Sequence, residues 1–371
     1  MIPEYREIES REAWEELLAL GGTLRHYAFQ AIRFDDRAAA CRFTDCLFFG
    51  CRIPESMRDV MEEDCFVFPA IPRPFKVFPP ALYDADSLYS GYDPTDERTF
   101  EDCYDTRVYR HYIESGKQAT CVSETLSRTL HDHAISRSLH ELLAAYDERQ
   151  VVAIMGGHAL SRTDYMFLKV ARISKHLAEA GCLMMSGGGP GAMEATHLGA
   201  WFAGRSDEEL MMAVDELSVA PSFRDEGWLA SAFKVRRRYP RLTEVESVGI
   251  PTWFYGHEPA TPFATHIAKY FDNSIREDGL LALAKGGVIF SPGSAGTMQE
   301  IFQDAAQNHY KTFGFASPMV FLDSEYWTRQ IPAYPLLDTM MERGRYKNLQ
   351  LSLTDDESFV IDTILNFIAQ K

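Results

Sequence analysis

The residues best suited to chemistry lie in two glycine-rich loops. The first reads Met185-Ser186-Gly187-Gly188-Gly189-Pro190-Gly191-Ala192-Met193-Glu194, and the second Ser291-Pro292-Gly293-Ser294-Ala295-Gly296-Thr297-Met298-Gln299-Glu300. Each follows an apolar run and precedes a helical stretch. A glycine turn lets a ligand approach the backbone, and the helix it opens presents unsatisfied N–H groups and a partial positive charge. That chemistry suits an anion, above all a phosphate. In the second loop Gly293, Ser294, Gly296 and Thr297 can donate from N–H and hydroxyl groups. Glu300, one turn into the helix, could act on a reacting centre or simply favour the start of its own helix.

The elements that must position these loops alternate. Val151–Gly157 reads as a buried strand, Tyr165–Ala180 as a helix closed by Gly181, and CLMMSGGG as a strand running into the first loop. PGAMEATHLGAWFAG follows as a helix with Pro190 at its first turn. Then come GIPTWFYG, a long helix across 263–285, GGVIFSPG, a helix from 296, PMVFLD, a helix near 334–344, LQLSL and a final helix ending near Ala369. Such alternation predicts an α/β fold, a Rossmann-like parallel sheet with helices on both faces. In such sheets the ligand crevice lies beyond the carboxyl ends of the strands, so both loops fall on the same edge. Two loops on one edge are a stronger signal than either alone. The first, by itself, is also consistent with a tight packing turn. Its loose match to G-x-G-x-x-G/A, through Gly187, Gly189 and Ala192, is poor support for a dinucleotide oxidoreductase, because it opens the second βα unit rather than the first.

Taken together, SGGGPGAMEA and SPGSAGTMQE resemble the GGGxxGxM and PGGxGTxxE segments of the LOG family of nucleotide phosphoribohydrolases, which are lysine-decarboxylase-like proteins. The likeness covers about 150–371, including VVAIMGGHA at its start and PMVFLDSEYW near its end. It implies hydrolysis of the N-glycosidic bond of a nucleoside 5′-monophosphate to a free base and ribose 5-phosphate, with AMP-like purine nucleotides favoured. It puts Glu300 at the ribose as the catalytic carboxylate and Arg276 beside it. The family arginine lies one residue nearer the following strand, so this match needs a small insertion at Lys285-Gly286-Gly287. Gly187, Gly188, Gly189, Gly191, Met193, Gly293, Ser294, Ala295, Gly296 and Thr297 would surround the substrate and its phosphate. The resemblance implies no cofactor, no metal and a homodimer or higher homo-oligomer. Ser294 replaces a family glycine and would be strained if the position needs a positive φ. The alternative within the same superfamily is a non-catalytic protein that binds or carries a nucleotide or nucleotide-like cofactor. A carrier would need the glycine loops but not both Glu300 and Arg276.

Other residues are weighed against structural readings. Gly157, His158 and His257 stand at predicted strand ends and could line the crevice. Asn273 lies three residues before Arg276, on the same helix face. Trp253, Phe254 and Tyr255 alternate, so some must face the core. Lys234, Arg236, Arg237, Arg238 and Arg241 form the most basic run, which could meet a phosphate or a nucleotide effector but reads better as a solvated helix face. His131, His133 and His140 read as surface histidines on a helix.

The 371 residues suggest two domains, split at 1–145 and 146–371. A net charge of −17 argues against broad nucleic-acid binding, and no apolar run is long enough to cross a bilayer. The acidic start, without a basic and apolar leader, makes the cytoplasm the expected location. Six of the seven cysteines precede residue 122, and free thiols are expected rather than disulfides. Near the start, ACRFT, DCLFF and GCRIP repeat with a period of five, aligning Cys41, Cys46 and Cys51 and, two residues on, Phe43, Phe48 and Ile53. This is similar to a pentapeptide repeat, and the reading is an edge or cap, since three repeats are few for a solenoid. Metal ligation by these cysteines is the weaker reading, because zinc ligands usually recur in closely spaced pairs.

Overall fold

The computed structural model describes residues 4–256 and 258–370. It divides into two compact units: 1–81 with 118–134, and 82–117 with 135–371. The expected break near 145 therefore falls elsewhere, and residues 82–117 and 135–145 pack with the second unit.

The first unit holds a short parallel β-solenoid. Strands Arg6–Ile8, Tyr27–Gln30, Leu47–Phe49 and Phe66–Phe68 stack in one sheet. Gly22–Arg25 pairs with Cys41–Thr44 in a second. Register puts Leu24 opposite Phe43 and Phe29 opposite Phe48, so large apolar side chains stack inside. The Phe29 and Phe48 rings lie 5.1 Å apart and nearly parallel. The five-residue period thus starts earlier than the cysteines suggest, with Leu24, Phe29 and Phe34 all buried. More than one turn is built, so the segment is a small solenoid and not merely an edge. The thiols reach back to the preceding turn: Cys46 donates to Leu24 O at 3.3 Å, Cys51 to Phe29 O at 3.3 Å and Cys65 to Phe43 O at 3.4 Å. Burial pushes the Cys51 thiol up to about 12, which keeps it protonated and a poor metal ligand. Helix Arg11–Leu20, capped by Ser10 on Ala13 N–H, buries Trp14 and Leu17 in the same core. Of the three helix histidines, His131 is buried against Asp132 and Phe75, whereas His133 is exposed. The surface reading of His131 is therefore corrected.

The second unit is the expected α/β fold. Seven parallel strands, β1 (Val151–Met155), β2 (Leu183–Ser186), β3 (Ser247–Gly249), β4 (His266–Ile267), β5 (Gly287–Phe290), β6 (Pro318–Leu322) and β7 (Gln350–Thr354), run in the order β4-β3-β2-β1-β5-β6-β7. Every residue of β1, β2, β5 and β6 is buried. Unbroken apolar strands of this kind need helices on both faces. On one face, Val152, Ile154, Met184, Ile289 and Val320 pack against α1 (Tyr165–Glu179), α2 (Ala192–Trp201), α3 (Asp207–Leu217), α4 (Trp228–Arg238) and α8 (Glu357–Ala369). On the other, the Phe290 and Phe321 rings lie 5.2 Å apart at 33°, and Phe321 meets Trp327 and Tyr334. Tyr334 belongs to α7 (Ala333–Glu342). Between these, α5 spans Asn273–Leu283 and α6 Ala295–Tyr310.

Two elements depart from the sequence reading; of GIPTWFYG only Gly249 belongs to a strand, β3, and the rest is irregular. Residues 263–285 do not form one long helix: β4 occupies His266–Ile267, and α5 starts only after Asp272, whose side chain caps Ser274 N–H at 2.8 Å. Among the described residues no helix is long and apolar enough to cross a membrane.

Candidate functional site

The strand order reverses between β1 and β5, and that reversal sets the site. Chains leaving the carboxyl ends of these two neighbours turn to opposite sides of the sheet, which opens a crevice there. The two turns are stitched together: Ser291 N–H donates to Met155 O at 2.9 Å, and Gly157 N–H donates to Pro292 O at 2.9 Å. The first glycine loop joins through Ala192 N–H, which donates to Gly157 O at 3.2 Å. Gly191 makes that closeness possible. Its φ is +69°, and a Cβ there would lie 2.4 Å from Gly157 O.

The resulting crevice has a volume of about 400 Å³ and is lined by Gly156, Gly157, His158, Met193, Tyr255, Glu258, Arg276, Glu277, Ser294, Ala295, Gly296, Thr297, Gln299 and Glu300. The second loop thus lies open to it. Ser294, Ala295 and Gly296 are exposed, and the Ser294 side chain caps none of the first-turn N–H groups of α6. Ser294 has a φ of −111°, so the serine sits there without the strain that a left-handed position would impose. Tyr326 fixes the loop from outside, its hydroxyl donating to Gly293 O at 2.6 Å.

The first loop is placed differently. Gly187, Gly188, Gly189 and Gly191 are buried and do not line the crevice; of the residues expected there from this loop, Met193 alone does. Gly187 instead gives room to Arg276, whose Nη2 would lie 2.5 Å from a Cβ at that position. The loop is held by a buried chain of polar groups. Gly188 N–H donates to Ser186 Oγ at 3.1 Å, Ser186 Oγ lies 2.8 Å from His197 Nε2, and His197 Nδ1 lies 3.0 Å from Ser247 Oγ. Burial pushes His197 down to about 3, so the imidazole is neutral and one nitrogen can accept while the other donates. This histidine is a positioning group for the loop.

Arg276 and Glu300 line the same crevice, and the charge of Arg276 acts on the Glu300 carboxyl. Arg276 Nε donates to Ile250 O at 2.9 Å, which aims the guanidinium across the end of β3. Burial pushes the Glu300 carboxyl up to about 7; the charge of Arg276 opposes that rise and Glu277 adds to it. Near neutral pH the group therefore exists in both protonation states, the condition for either accepting or donating a proton. Asn273 stands one step back, donating to Tyr255 Oη at 3.1 Å and Glu277 Oε2 at 2.7 Å. His158 faces Glu258 at 3.9 Å and meets the Phe223 ring edge-on. His257 lies outside the described residues.

No protein-family model matches the chain, and no curated protein matches it significantly. Solved structures with a similar outline include the molybdenum cofactor binding protein of the phototrophic bacterium Rippkaea orientalis, at 14% identity and a TM-score of 0.36 over 59% of this chain and 97% of that one. The Moco carrier protein of Chlamydomonas reinhardtii is 16% identical with a TM-score of 0.37 over 60% of this chain and 98% of that one.

Sequence reading missed Gly156, Glu258, Glu277 and Gln299. Glu277 and Gln299 adjoin residues already singled out, and i, i+1 neighbours on a helix do not normally share a face. They reach one crevice because it opens between α5 and the first turn of α6. Glu258 sits in the irregular stretch between β3 and β4, where no periodicity marks it.

Proposed function

We propose that this crevice binds a nucleotide or nucleotide-like ligand through its phosphate. The observation that carries the reading is the open first turn of α6, with Ser294, Ala295 and Gly296 exposed and uncapped on a crevice shared with Arg276. A phosphate there receives backbone N–H donors, the helix dipole and a guanidinium together. The volume of about 400 Å³ suits a small molecule. Backbone donors matter because the side chains alone are unfavourable to an anion: Glu258, Glu277 and Glu300 face one arginine.

A second reading, hydrolysis of the N-glycosidic bond of a nucleoside 5′-monophosphate, is favoured by Glu300. Breaking that bond builds positive charge on the ribose, which a carboxylate stabilises, and water must then add to the sugar. A group titrating near 7 can take the proton of that water. Arg276 offers a fixed fork of N–H donors, so its part is to orient and to balance charge.

One experiment separates the readings. The purified protein is incubated with AMP, GMP, CMP and UMP; free base and ribose 5-phosphate are followed by chromatography, and binding is measured by calorimetry, with Glu300→Gln in parallel. Binding without base release supports a carrier or sensor. Base release lost in E300Q, with binding kept, supports the hydrolase. Binding of none of the four would remove the nucleoside-monophosphate form of the proposal.

A further inference from the structure

A second cavity, sharing no lining residue with the crevice, lies in the same unit and has a volume of about 560 Å³. Its wall combines Tyr92, Trp201 and Phe233 with Arg236, Arg237 and Arg241. Three arginines gathered at one cavity are unexpected in a chain of net charge −17. The last turn of α4 supplies two of them, where cations are favoured by the helix dipole. That local preference explains their presence on the helix but not their convergence with aromatic rings. Arg238, the next residue, follows the plain structural course and pairs with Glu216 at 2.7 Å.

The three lining arginines are held in different ways. The Arg236 guanidinium lies over the Trp201 ring at 4.8 Å and the Phe233 ring at 5.4 Å, and its Nη1 reaches Asp86 Oδ1 at 3.3 Å. Its Nε is buried without a hydrogen-bond partner. Arg241 spends one Nη2 donor on Val245 O at 2.6 Å. Arg237 is exposed and makes no ion pair within 4 Å among the described residues, though its charge helps hold the Asp93 carboxyl below its ordinary value. Asp86 is the one carboxylate on the wall. Three guanidinium groups therefore share the wall with one carboxylate, and partly exposed aromatic faces adjoin them: Tyr92 and Phe233 lie 5.8 Å apart at 49°.

We propose that this cavity is a second ligand site, for a polyanion carrying a planar aromatic ring, of the nucleoside polyphosphate class. Arginine forks match phosphate oxygens, and guanidinium and aromatic faces both stack on a base. Cavity size is within the range for such a molecule. The ring and the phosphates are recognised by different groups, so neither half of the ligand alone binds as well as the whole.

The test uses the full chain and hydrogen–deuterium exchange read by mass spectrometry, with ATP and with tripolyphosphate as probes. ATP is expected to slow exchange in the peptides spanning 85–94 and 228–241, with tripolyphosphate binding there at least tenfold more weakly. Arg237→Glu, an exposed change that leaves the fold intact, is expected to weaken that ATP protection at least tenfold without altering protection at 293–300. Protection confined to 293–300, or unchanged in R237E, overturns the site. Equal affinity for tripolyphosphate overturns the aromatic half of the assignment. The readout is separate for the two regions, so failure of the crevice proposal leaves this one standing, and the reverse.

Discussion

Arg162 and Glu194 form a fully buried ion pair, with Arg162 Nε donating to Glu194 Oε2 at 3.0 Å. The same guanidinium donates to Leu217 O, Ala220 O, Trp228 O and Ser231 Oγ, and stacks on the Trp228 ring at 4.7 Å. Glu194 belongs to the first glycine loop's helix, so this pair ties that helix to the segments around α3 and α4. Removing one partner leaves an uncompensated buried charge, which typically costs about 3–5 kcal/mol. Glu194→Ala is therefore expected to lower stability by that order, and Glu194→Gln, which keeps an acceptor, by less. Chemical denaturation checks it; a loss below about 1 kcal/mol for E194A would show that the pair is not what holds the loop.

Glu300 predicts a pH dependence of ligand binding. Its carboxyl is neutral below about 7 and charged above. A charged carboxylate beside the first turn of α6 repels a phosphate. The second ionisation of a phosphate monoester has its midpoint near pH ~6, so the comparison belongs between pH 7 and 8, where the ligand is mostly dianionic. Wild-type affinity for AMP should weaken several-fold over that interval. In Glu300→Gln it should stay flat. Calorimetric titrations at the two pH values decide this, and parallel curves for the two proteins would rule out Glu300 as the cause.

Two glycines of the second loop should behave oppositely. A Cβ on Gly293 would lie 2.1 Å from Thr297 Oγ1 and 3.0 Å from Gly157 N, so Gly293→Ala must displace the stitching between β1 and β5. Overpacking of this kind costs about 1–3 kcal/mol. Gly296 has open space around its position and lies in the first turn of a helix. Alanine there favours the helix by up to ~1 kcal/mol, yet it adds a methyl to a surface that lines the crevice. Gly296→Ala is expected to match or exceed wild-type melting temperature while binding AMP at least several-fold more weakly. A variant that melts lower and binds normally would contradict the placement of this loop.

These contrasts show what could be read from the residues in advance. A buried strand, a glycine turn and a helix follow from apolar runs and breakers, so both loops and the sheet were legible. Arg276 was singled out through the family resemblance alone, since nothing in its helix spacing marks it. Glu194 was not, because its partner lies 32 positions away and nothing local marks a buried pair. The stretch 263–285 misled because it is apolar enough for a helix; the Asp272-Asn273-Ser274 start signal for α5 was the available clue. In the first unit, attention to cysteines hid the longer period carried by Leu24, Phe29 and Phe34. Gly187 and Gly188 lie against Arg276 and Pro251, and a glycine that makes room for a neighbour has the same letter as one that makes room for a ligand.

Asp304 gives the last prediction. It lies on α6, one turn beyond Glu300, and is buried; its Oδ1 accepts from Asn308 Nδ2 at 3.3 Å, while Oδ2 has no hydrogen-bond partner. Burial pushes its carboxyl up to about 8. In the unfolded chain the group ionises near its ordinary value of 3.8. Between those values the native state holds a proton that the unfolded state has lost, so stability falls as pH rises through the window. Each unit of pH across it can remove up to ~1.4 kcal/mol, less when burial relaxes on ionisation. Asp304→Asn has no proton to lose and should flatten that part of the profile. The measurement is melting temperature at pH 5 and pH 8 for both proteins. Wild type is expected to lose several degrees more than D304N between the two conditions. Equal losses would mean that Asp304 ionises in the native state as it does in the unfolded chain, and that water reaches it.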